Sequence, residues 1–270
     1  MKKYPTVQQL FDLTGKIFLV AGGAHHLGKD MAYALAEADA DGIITSRNKA
    51  SAVKTAAKIS KDTGRKIRGL QLDATIEHEV EKVFNEIVKN FRKIDIVVNS
   101  VGGGALQKWS ANFEEYPLAE WERMHKTNLH SAFLISKYAA SFMKKQKSGA
   151  IINVSSIAGI VGRDRRVYPE GMPPQAVSYA SAKSGVIGLS RDLAASLGKY
   201  GIRVNCISPG GFQRDQPREF IKRYSKKVPL SRMGKDGVDL KGAVLFLASE
   251  ASAYVTGHNL VLDGGFTIWQ

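Results

Sequence analysis

The chain has 270 residues, of which 44% are hydrophobic, so it is long and apolar enough to form one large α/β domain with a full core. Its net charge of +14 is compatible with nucleic-acid binding, but the sequence has no zinc-ligand spacing, RNA-binding aromatic motif or basic tail. No apolar run is long enough to span a membrane, and the first residues lack a signal-peptide pattern. The single cysteine excludes an internal disulfide. We therefore expect a cytoplasmic protein without membrane or nucleic-acid partners.

Apolar, β-branched runs alternate with amphipathic stretches along the whole chain. The runs that predict strands are Ile17–Ala21, Gly42–Thr45, Ile67–Leu72, Ile94–Val98, Ala150–Val154, Ile202–Ile207 and Asn259–Leu262. The stretches that predict helices are Lys29–Ala38, Ala50–Thr63, His78–Asn90, Leu129–Lys145, Tyr179–Leu197 and Val238–Ser249. This alternation predicts one doubly wound, Rossmann-type α/β domain over residues 1–270, with about seven parallel strands and helices on both faces. The nearly continuous apolar character of the strands predicts that they are buried on both sides.

A glycine-rich turn follows the first predicted strand and opens the first helix. Its glycines allow a tight turn and let backbone N–H groups approach a pyrophosphate at the positive end of the helix. In a doubly wound sheet, ligands bind beyond the carboxyl ends of the strands, which is where this turn lies. We therefore predict dinucleotide contacts from Gly22, His25, His26, Leu27 and Gly28. The adjacent histidines do not have metal-ligand spacing, and we predict no metal site.

The second predicted strand ends without the acidic residue that would hold the ribose 2′-hydroxyl of NAD. Ser46 and Arg47 stand there instead. A guanidinium group pairs with a 2′-phosphate through charge-assisted hydrogen bonds, whereas a carboxylate would repel it. These residues favour NADP(H), with a solvent-facing arginine as the alternative interpretation, and His25 is a further candidate contact of the 2′-phosphate.

Tyr179 and Lys183 are spaced to lie on one face of a helix. A tyrosine hydroxyl has a pKa near 10, so it is a poor acid–base catalyst at neutral pH unless a neighbouring cation favours the phenolate. A lysine four residues later supplies such a cation. The pair predicts proton transfer, although the spacing taken alone also occurs in ordinary packed helices.

Together, the ordered motifs resemble those of the short-chain dehydrogenase/reductase family, from about Leu13 to Phe266. The matching elements are the glycine-rich turn, Leu72-Asp73, Val98-Asn99-Ser100-Val101-Gly102, Asn128, Ile151-Ile152-Asn153-Val154-Ser155-Ser156, Tyr179 with Lys183, Arg203-Val204-Asn205-Cys206-Ile207-Ser208-Pro209-Gly210, Tyr254-Val255-Thr256-Gly257 and Leu262-Asp263-Gly264-Gly265. The chain is most similar to the gluconate 5-dehydrogenase-like, sugar-acid branch of the family. The resemblance implies an oxidoreductase that assembles as a homotetramer or homodimer.

The resemblance also implies roles for individual residues. Tyr179 would be the general acid or base, Lys183 would lower its pKa and hold the nicotinamide ribose, and Ser156 would polarise the substrate oxygen. Asn128 would hold a water that links Lys183 to solvent. The further cofactor contacts implied are Asp73, Asn99, Gly102, Pro209 and Gly210.

The chain departs from the family pattern at two positions that bear on the cofactor. His26 stands where the family has a second glycine, so its side chain must point away from the pyrophosphate or reshape the turn. Arg214 stands where a threonine is usual, which puts one nicotinamide contact in doubt.

Two basic segments are expected to flank the substrate opening. One is the loop 162–175, an insertion between two catalytic residues, and the other is the segment 211–235, the predicted substrate lid, with eight basic and two acidic residues. Guanidinium groups suit carboxylates and phosphates, so we predict a small anionic substrate such as a sugar acid. The candidate contacts are Arg163, Arg165, Arg166, Arg214 and Arg218, and the alternative is that they face solvent.

The sequence leaves other functions open. The chain is also similar to 3-ketoacyl thioester reductases, and fold alone does not separate these branches. A non-catalytic NADP(H)-binding sensor or interaction protein is a further alternative, suggested by the altered turn and the basic charge. Trp109, Phe113 and Trp121 would either line the substrate pocket or pack between helices.

Overall fold

A computed structural model describes residues 4–103 and 113–269; Trp109 and its neighbours lie outside these ranges. The strands are β1 Ile17–Ala21, β2 Asp41–Ser46, β3 Ile67–Gln71, β4 Ile96–Asn99, β5 Gly149–Val154, β6 Ile202–Pro209, β7 Phe212–Gln213, β8 Gly234–Lys235 and β9 Asn259–Leu262. The α-helices are α1 Val7–Phe11, α2 His26–Glu37, α3 Lys49–Thr63, α4 Glu77–Phe91, α5 Leu118–His125, α6 Ser131–Gln146, α7 Val177–Leu197, α8 Arg218–Lys226 and α9 Lys241–Ala248.

Seven parallel strands form the main sheet in the order β3-β2-β1-β4-β5-β6-β9. The predicted doubly wound, seven-stranded fold is therefore confirmed. The chain winds outward from β1 in one direction and from β4 in the other, so the winding reverses between these two strands. In such sheets the ligand crevice opens at this reversal, beyond the strands' carboxyl ends. The turns that follow β1 and β4 meet there.

Two hydrophobic layers cover the sheet. Phe18 points into the layer packed by α2, α3 and α9, and the next residue, Leu19, points into the layer packed by α4, α6 and α7. This alternation follows from the pleat of a strand, which sends successive side chains to opposite faces. Helices thus cover both faces, as the sequence predicted.

The prediction that every strand is buried on both sides is wrong for the two edges. All residues of β1 and β4 are buried, but β3 and β9 are only partly buried. An edge strand has a neighbour on one side alone, so part of its backbone and side chains meets solvent. Apolar composition did not distinguish edge from centre.

Helix boundaries near the site also differ from the predicted ones. Helix α7 begins at Val177, which places Tyr179 inside its first turn. The first two residues of the predicted helix Leu129–Lys145 belong to a π-helical turn, Lys126–His130, that continues into α6. None of the helices in the described ranges is both long and apolar enough to cross a bilayer.

Candidate active site

A cavity of about 760 Å³ opens at the carboxyl ends of the central strands. It is lined by the predicted cofactor and catalytic residues Gly22, His25, His26, Leu27, Gly28, Ser46, Arg47, Asp73, Gly102, Ser156, Tyr179, Lys183, Pro209 and Gly210. Two further candidates, Asn99 and Asn128, are buried behind its wall. The folded chain therefore brings motifs from six strand ends to one place.

The catalytic candidates lie together at the inner end of the cavity. Ser156 is the second residue after β5, and its hydroxyl accepts a hydrogen bond from the Ala158 amide at 3.2 Å. The Lys183 nitrogen lies 5.7 Å from the centre of the Tyr179 ring and donates to the Val154 carbonyl at 2.8 Å. Serine, tyrosine and lysine thus converge on a space where a substrate oxygen can be bound.

Asn128 is hydrogen-bonded to the loop after β4 and lies near Lys183. It lies in the π-helical turn, where its amide donates to Met124 and its carbonyl accepts from Gly103. A Cβ added at Gly102 would lie 2.4 Å from the Asn128 oxygen and 3.1 Å from the Lys183 nitrogen. Single π-helical turns are frequent at functional sites because they re-aim side chains locally. Here the turn places Asn128 next to Lys183.

Burial and hydrogen bonding have opposite effects on Tyr179. Burial raises the pKa of its hydroxyl, whereas a hydrogen bond with Ser156 and the positive charge of Arg163 lower that pKa. Burial also lowers the pKa of the Lys183 ammonium to about 8, because a charged group is poorly solvated there. Overall, the pKa of Tyr179 is raised and that of Lys183 is lowered, so burial favours the neutral form of both side chains.

The glycine-rich turn is shaped for close backbone approach. Gly22 has φ +78°, and a Cβ at Gly28 would lie 2.2 Å from the Gly22 carbonyl oxygen. His26 adopts φ +47°, a left-handed conformation that glycine adopts without strain. The turn thus keeps its shape although a histidine has replaced the glycine. Among non-glycine residues, histidine is one of those found more often in the left-handed backbone conformation.

The His26 side chain is exposed at the rim of the cavity, close to the segment 211–235. Partial burial lowers the pKa of its imidazole, as does the charge of Arg214, while Asp236 raises it. Arg214 forms an ion pair with Asp236 at 2.6 Å. The turn after β1, through His26, therefore lies close to the Arg214–Asp236 ion pair of the basic segment.

Arg47 and Asp73 lie close together at the adenosine end. Burial raises the pKa of the Asp73 carboxyl, but hydrogen bonds from Thr75 and the charges of Arg47 and Lys126 outweigh this and lower it. Arg47 is exposed and lines the cavity. Its charge acts on Asp73, but among the described residues it forms no ion pair with a carboxylate.

The five arginines predicted to contact substrate divide into two groups. Arg163 and Arg214 line the cavity, whereas Arg165, Arg166 and Arg218 are exposed and do not. The sequence pattern did not distinguish these groups, because charge alone does not say which way a side chain points.

Some basic side chains of the two segments form ion pairs with acidic side chains. Asp164 pairs with Arg166 in its own loop and with Lys227 of the basic segment, each at 2.8 Å, and these contacts hold the pKa of its carboxyl far below the usual range. The loop 162–175 and the segment 211–235 are therefore fastened to one another. Among the described residues, no carboxylate pairs with Arg163.

An aromatic wall, which the sequence analysis missed, encloses the substrate end of the cavity. It consists of Tyr168, Phe220, Tyr224 and Phe266, whose ring centres follow one another at 5.4, 5.8 and 4.7 Å. The Tyr224 hydroxyl accepts a hydrogen bond from the Gly211 amide at 2.6 Å. The signal was the apolar pair at positions i and i+4 in an otherwise basic helix, α8.

The sequence is similar to those of known proteins. A family model described as enoyl-(acyl carrier protein) reductase matches residues 22–267. The 3-oxoacyl-(acyl-carrier-protein) reductase of Aquifex aeolicus is 32% identical over 257 residues, with 94% of this chain and 98% of the relative covered. The chain belongs to the short-chain dehydrogenase/reductase family. The resemblance drawn from the motifs is confirmed.

Solved structures of this family superimpose over nearly the whole chain. A gluconate 5-dehydrogenase from Burkholderia cenocepacia, in complex with NADP and tartrate, is 28% identical with a TM-score of 0.87, covering 97% of this chain and 99% of its own. The NADPH-dependent 3-quinuclidinone reductase of Rhodotorula rubra is 30% identical with a TM-score of 0.87, covering 99% and 97%. The first of these supports the resemblance to the sugar-acid branch.

This short-chain dehydrogenase/reductase is thus an oxidoreductase of the CH–OH and carbonyl class that uses a nicotinamide cofactor. The described residues fit such a cofactor: the backbone is packed too closely at Gly22 and Gly28 for side chains, which leaves the N-terminus of α2 open toward the cavity. The residue-by-residue contacts carried over from the family remain predictions. No group of three His, Cys, Asp or Glu side chains within the described ranges is arranged to bind a metal.

Proposed function

We propose that the protein is an NADP(H)-dependent oxidoreductase that interconverts a carbonyl and a secondary alcohol on a small, polar, anionic substrate, such as a sugar acid. The observation that carries this proposal is the convergence of Ser156, Tyr179 and Lys183 at the inner end of one cavity, beside the glycine-rich turn. Nothing in that geometry requires a second domain or a metal.

In the proposed reaction, the cofactor supplies or accepts the hydride at the substrate carbon. Tyr179 donates a proton to the carbonyl oxygen in reduction and removes it in oxidation. Ser156 donates a hydrogen bond to the same oxygen and stabilises the charge that develops there. Lys183 donates to the Val154 carbonyl at the buried end of the site, and Asn128, which accepts from the Gly103 amide, lies near it.

NADP(H) rather than NAD(H) is proposed because β2 ends at Ser46, Arg47 follows it, and neither position carries a carboxylate. We expect NADPH to bind about 10- to 100-fold more tightly than NADH, the range for one or two charge-assisted hydrogen bonds. Fluorescence titration with both cofactors measures this preference.

Arg47→Asp is expected to abolish or reverse that preference, since the new carboxylate repels the 2′-phosphate. Lys54→Asp, on the exposed face of the neighbouring helix α3, makes the same charge change away from the cavity and serves as the control. Equal affinities in the wild type, or an unchanged preference in Arg47→Asp, would contradict the assignment of NADP(H).

An anionic substrate is supported by the charge of the cavity wall. Arg163 lines the cavity and has no carboxylate partner among the described residues, while both of its terminal nitrogens donate to backbone carbonyls, so it would attract an anion by its charge rather than by direct hydrogen bonds. The gluconate 5-dehydrogenase of similar structure was crystallised with tartrate, a dicarboxylate. The aromatic wall adds an apolar surface on which the ring or carbon chain of the substrate can pack.

The substrate class is tested by following NADPH oxidation with keto sugars, keto acids and ketoacyl thioesters. For the best acid, we expect kcat/KM to exceed that of its neutral ester or amide by at least about tenfold, and the advantage to shrink at high salt, which screens charge. Equal rates for acid and ester would overturn the anionic proposal while leaving the oxidoreductase assignment intact. Preference for thioesters would favour the 3-ketoacyl alternative, which the Aquifex relative supports.

A further inference from the structure

Arg163 occupies an unusual place for an arginine. It lies in the loop between Ser156 and α7, is partly buried, and places its guanidinium carbon 5.8 Å from the centre of the Tyr179 ring. A cation at this distance over an aromatic face is attracted to the electrons of the ring. The contact therefore joins a permanent positive charge to the side chain that exchanges the proton.

Both terminal nitrogens of Arg163 are already used. One donates to the Gln175 carbonyl and the other to the Ala176 carbonyl, the two residues immediately before α7. The remaining nitrogen, Nε, is buried and has no hydrogen-bond partner. The two-pronged face of the guanidinium, which would normally clasp a carboxylate, thus holds the backbone that leads into the Tyr179 helix.

The catalytic lysine is placed differently. Its nitrogen donates to the Val154 carbonyl, and its burial favours the uncharged amine more than for an exposed lysine. Arginine keeps its charge under all ordinary conditions, so Arg163 supplies the constant cation near the tyrosine. No aspartate or glutamate of the described residues forms an ion pair with the guanidinium, and the ionisable side chains that act on it are the phenols of Tyr168 and Tyr179 and the cation of Arg165.

We propose that Arg163 is a positioning residue that stabilises the phenolate form of Tyr179 and orients its ring, and so sets the pH range in which the enzyme works. This inference rests on the proposed oxidoreductase function. It gives the loop 162–175 a role in proton transfer, because this loop carries Arg163. The carbonyls of Gln175 and Ala176 hold the guanidinium of Arg163 in position.

The test compares the wild type with Arg163→Gln and Arg163→Lys in alcohol oxidation across the neutral to alkaline range. Oxidation needs the phenolate, so kcat rises with pH through the apparent pKa of the proton acceptor. In Arg163→Gln we expect that pKa to rise by about one unit, the effect of removing a charge some 6 Å away in a partly solvated site. Arg163→Lys should recover at least half of the shift.

Arg191→Gln is the matched control, because it removes one arginine charge from an exposed position on the same helix as Tyr179. Its pH profile should coincide with the wild type. An unchanged apparent pKa in Arg163→Gln with kcat lowered at every pH would assign Arg163 a purely structural role and overturn the proposal. So would an effect confined to KM, which would make Arg163 a substrate anchor.

A second measurement does not depend on turnover. The ultraviolet difference between each protein and its Tyr179→Phe counterpart isolates the ionisation of Tyr179 in the absence of substrate. That ionisation should occur at higher pH in Arg163→Gln than in the wild type, and identical titrations would refute the proposal. Failure of every substrate would instead contradict the proposed function, with the spectroscopic result still deciding the role of Arg163.

Discussion

Replacing Tyr179 by phenylalanine is expected to lower kcat by about 10²- to 10⁴-fold, the usual contribution of a general acid–base group. The ring remains, so its contact with Arg163 and its packing are retained and only the transferable proton is lost. The affinity for NADPH should change little. Steady-state kinetics in both directions and a fluorescence titration of the cofactor measure the two quantities.

Tyr254→Phe provides the control for this experiment, because Tyr254 is fully exposed and distant from the cavity lining. It should have wild-type kinetics. A Tyr179→Phe enzyme that keeps half of the wild-type rate would remove Tyr179 from the mechanism and reopen the non-catalytic alternative.

Replacing Lys183 by methionine is expected to lower kcat by at least about 100-fold and to change how stability depends on pH. Burial lowers the pKa of Lys183 from 10.5 to about 8 in the folded protein. Below pH 8, both the folded and the unfolded chain are protonated, and the folded state bears the cost of the buried charge. Between pH 8 and 10.5, the unfolded state binds more protons, so the free energy of unfolding contributed by this residue rises with pH.

The size of that rise is on the order of 3 kcal/mol for a fully buried group with such a shift. Lys183→Met has no group that titrates at this position. As pH rises from 7 to 10, the free energy of unfolding of the wild type should therefore increase relative to that of Lys183→Met. Denaturant unfolding of the cofactor-free proteins measures it. A constant difference across this range would show that Lys183 is not held in a poorly solvated site.

Much of the fold was accessible from local patterns. Apolar strands alternating with amphipathic helices predicted the doubly wound sheet, because period and burial are properties of neighbouring residues. The exceptions were β3 and β9, whose composition resembles that of central strands although each has a neighbour on one side only. Strand order depends on long-range pairing, which no local pattern encodes.

His26 shows how a motif and its structure can differ without conflict. The sequence indicated a missing glycine in the cofactor turn, and the structure retains the left-handed backbone at that position. The turn is held by its neighbours, since the Gly22 amide donates to the Thr45 hydroxyl and Gly28 packs against Gly22. Long-range packing therefore outweighs the local preference of one residue, at a cost of order 1 kcal/mol.

The sequence by itself determined the family, the glycine-rich turn and the tyrosine–lysine pair, because each depends on residue type and fixed spacing along one element. The tertiary structure decided which arginines face the cavity, where the aromatic wall stands and that Arg163 lies over Tyr179. A charged side chain on a loop is free to turn toward solvent, an acid, a carbonyl or a ring. Which partner it takes depends on residues brought near by folding, so only the folded chain separates Arg163 from the arginines beside it.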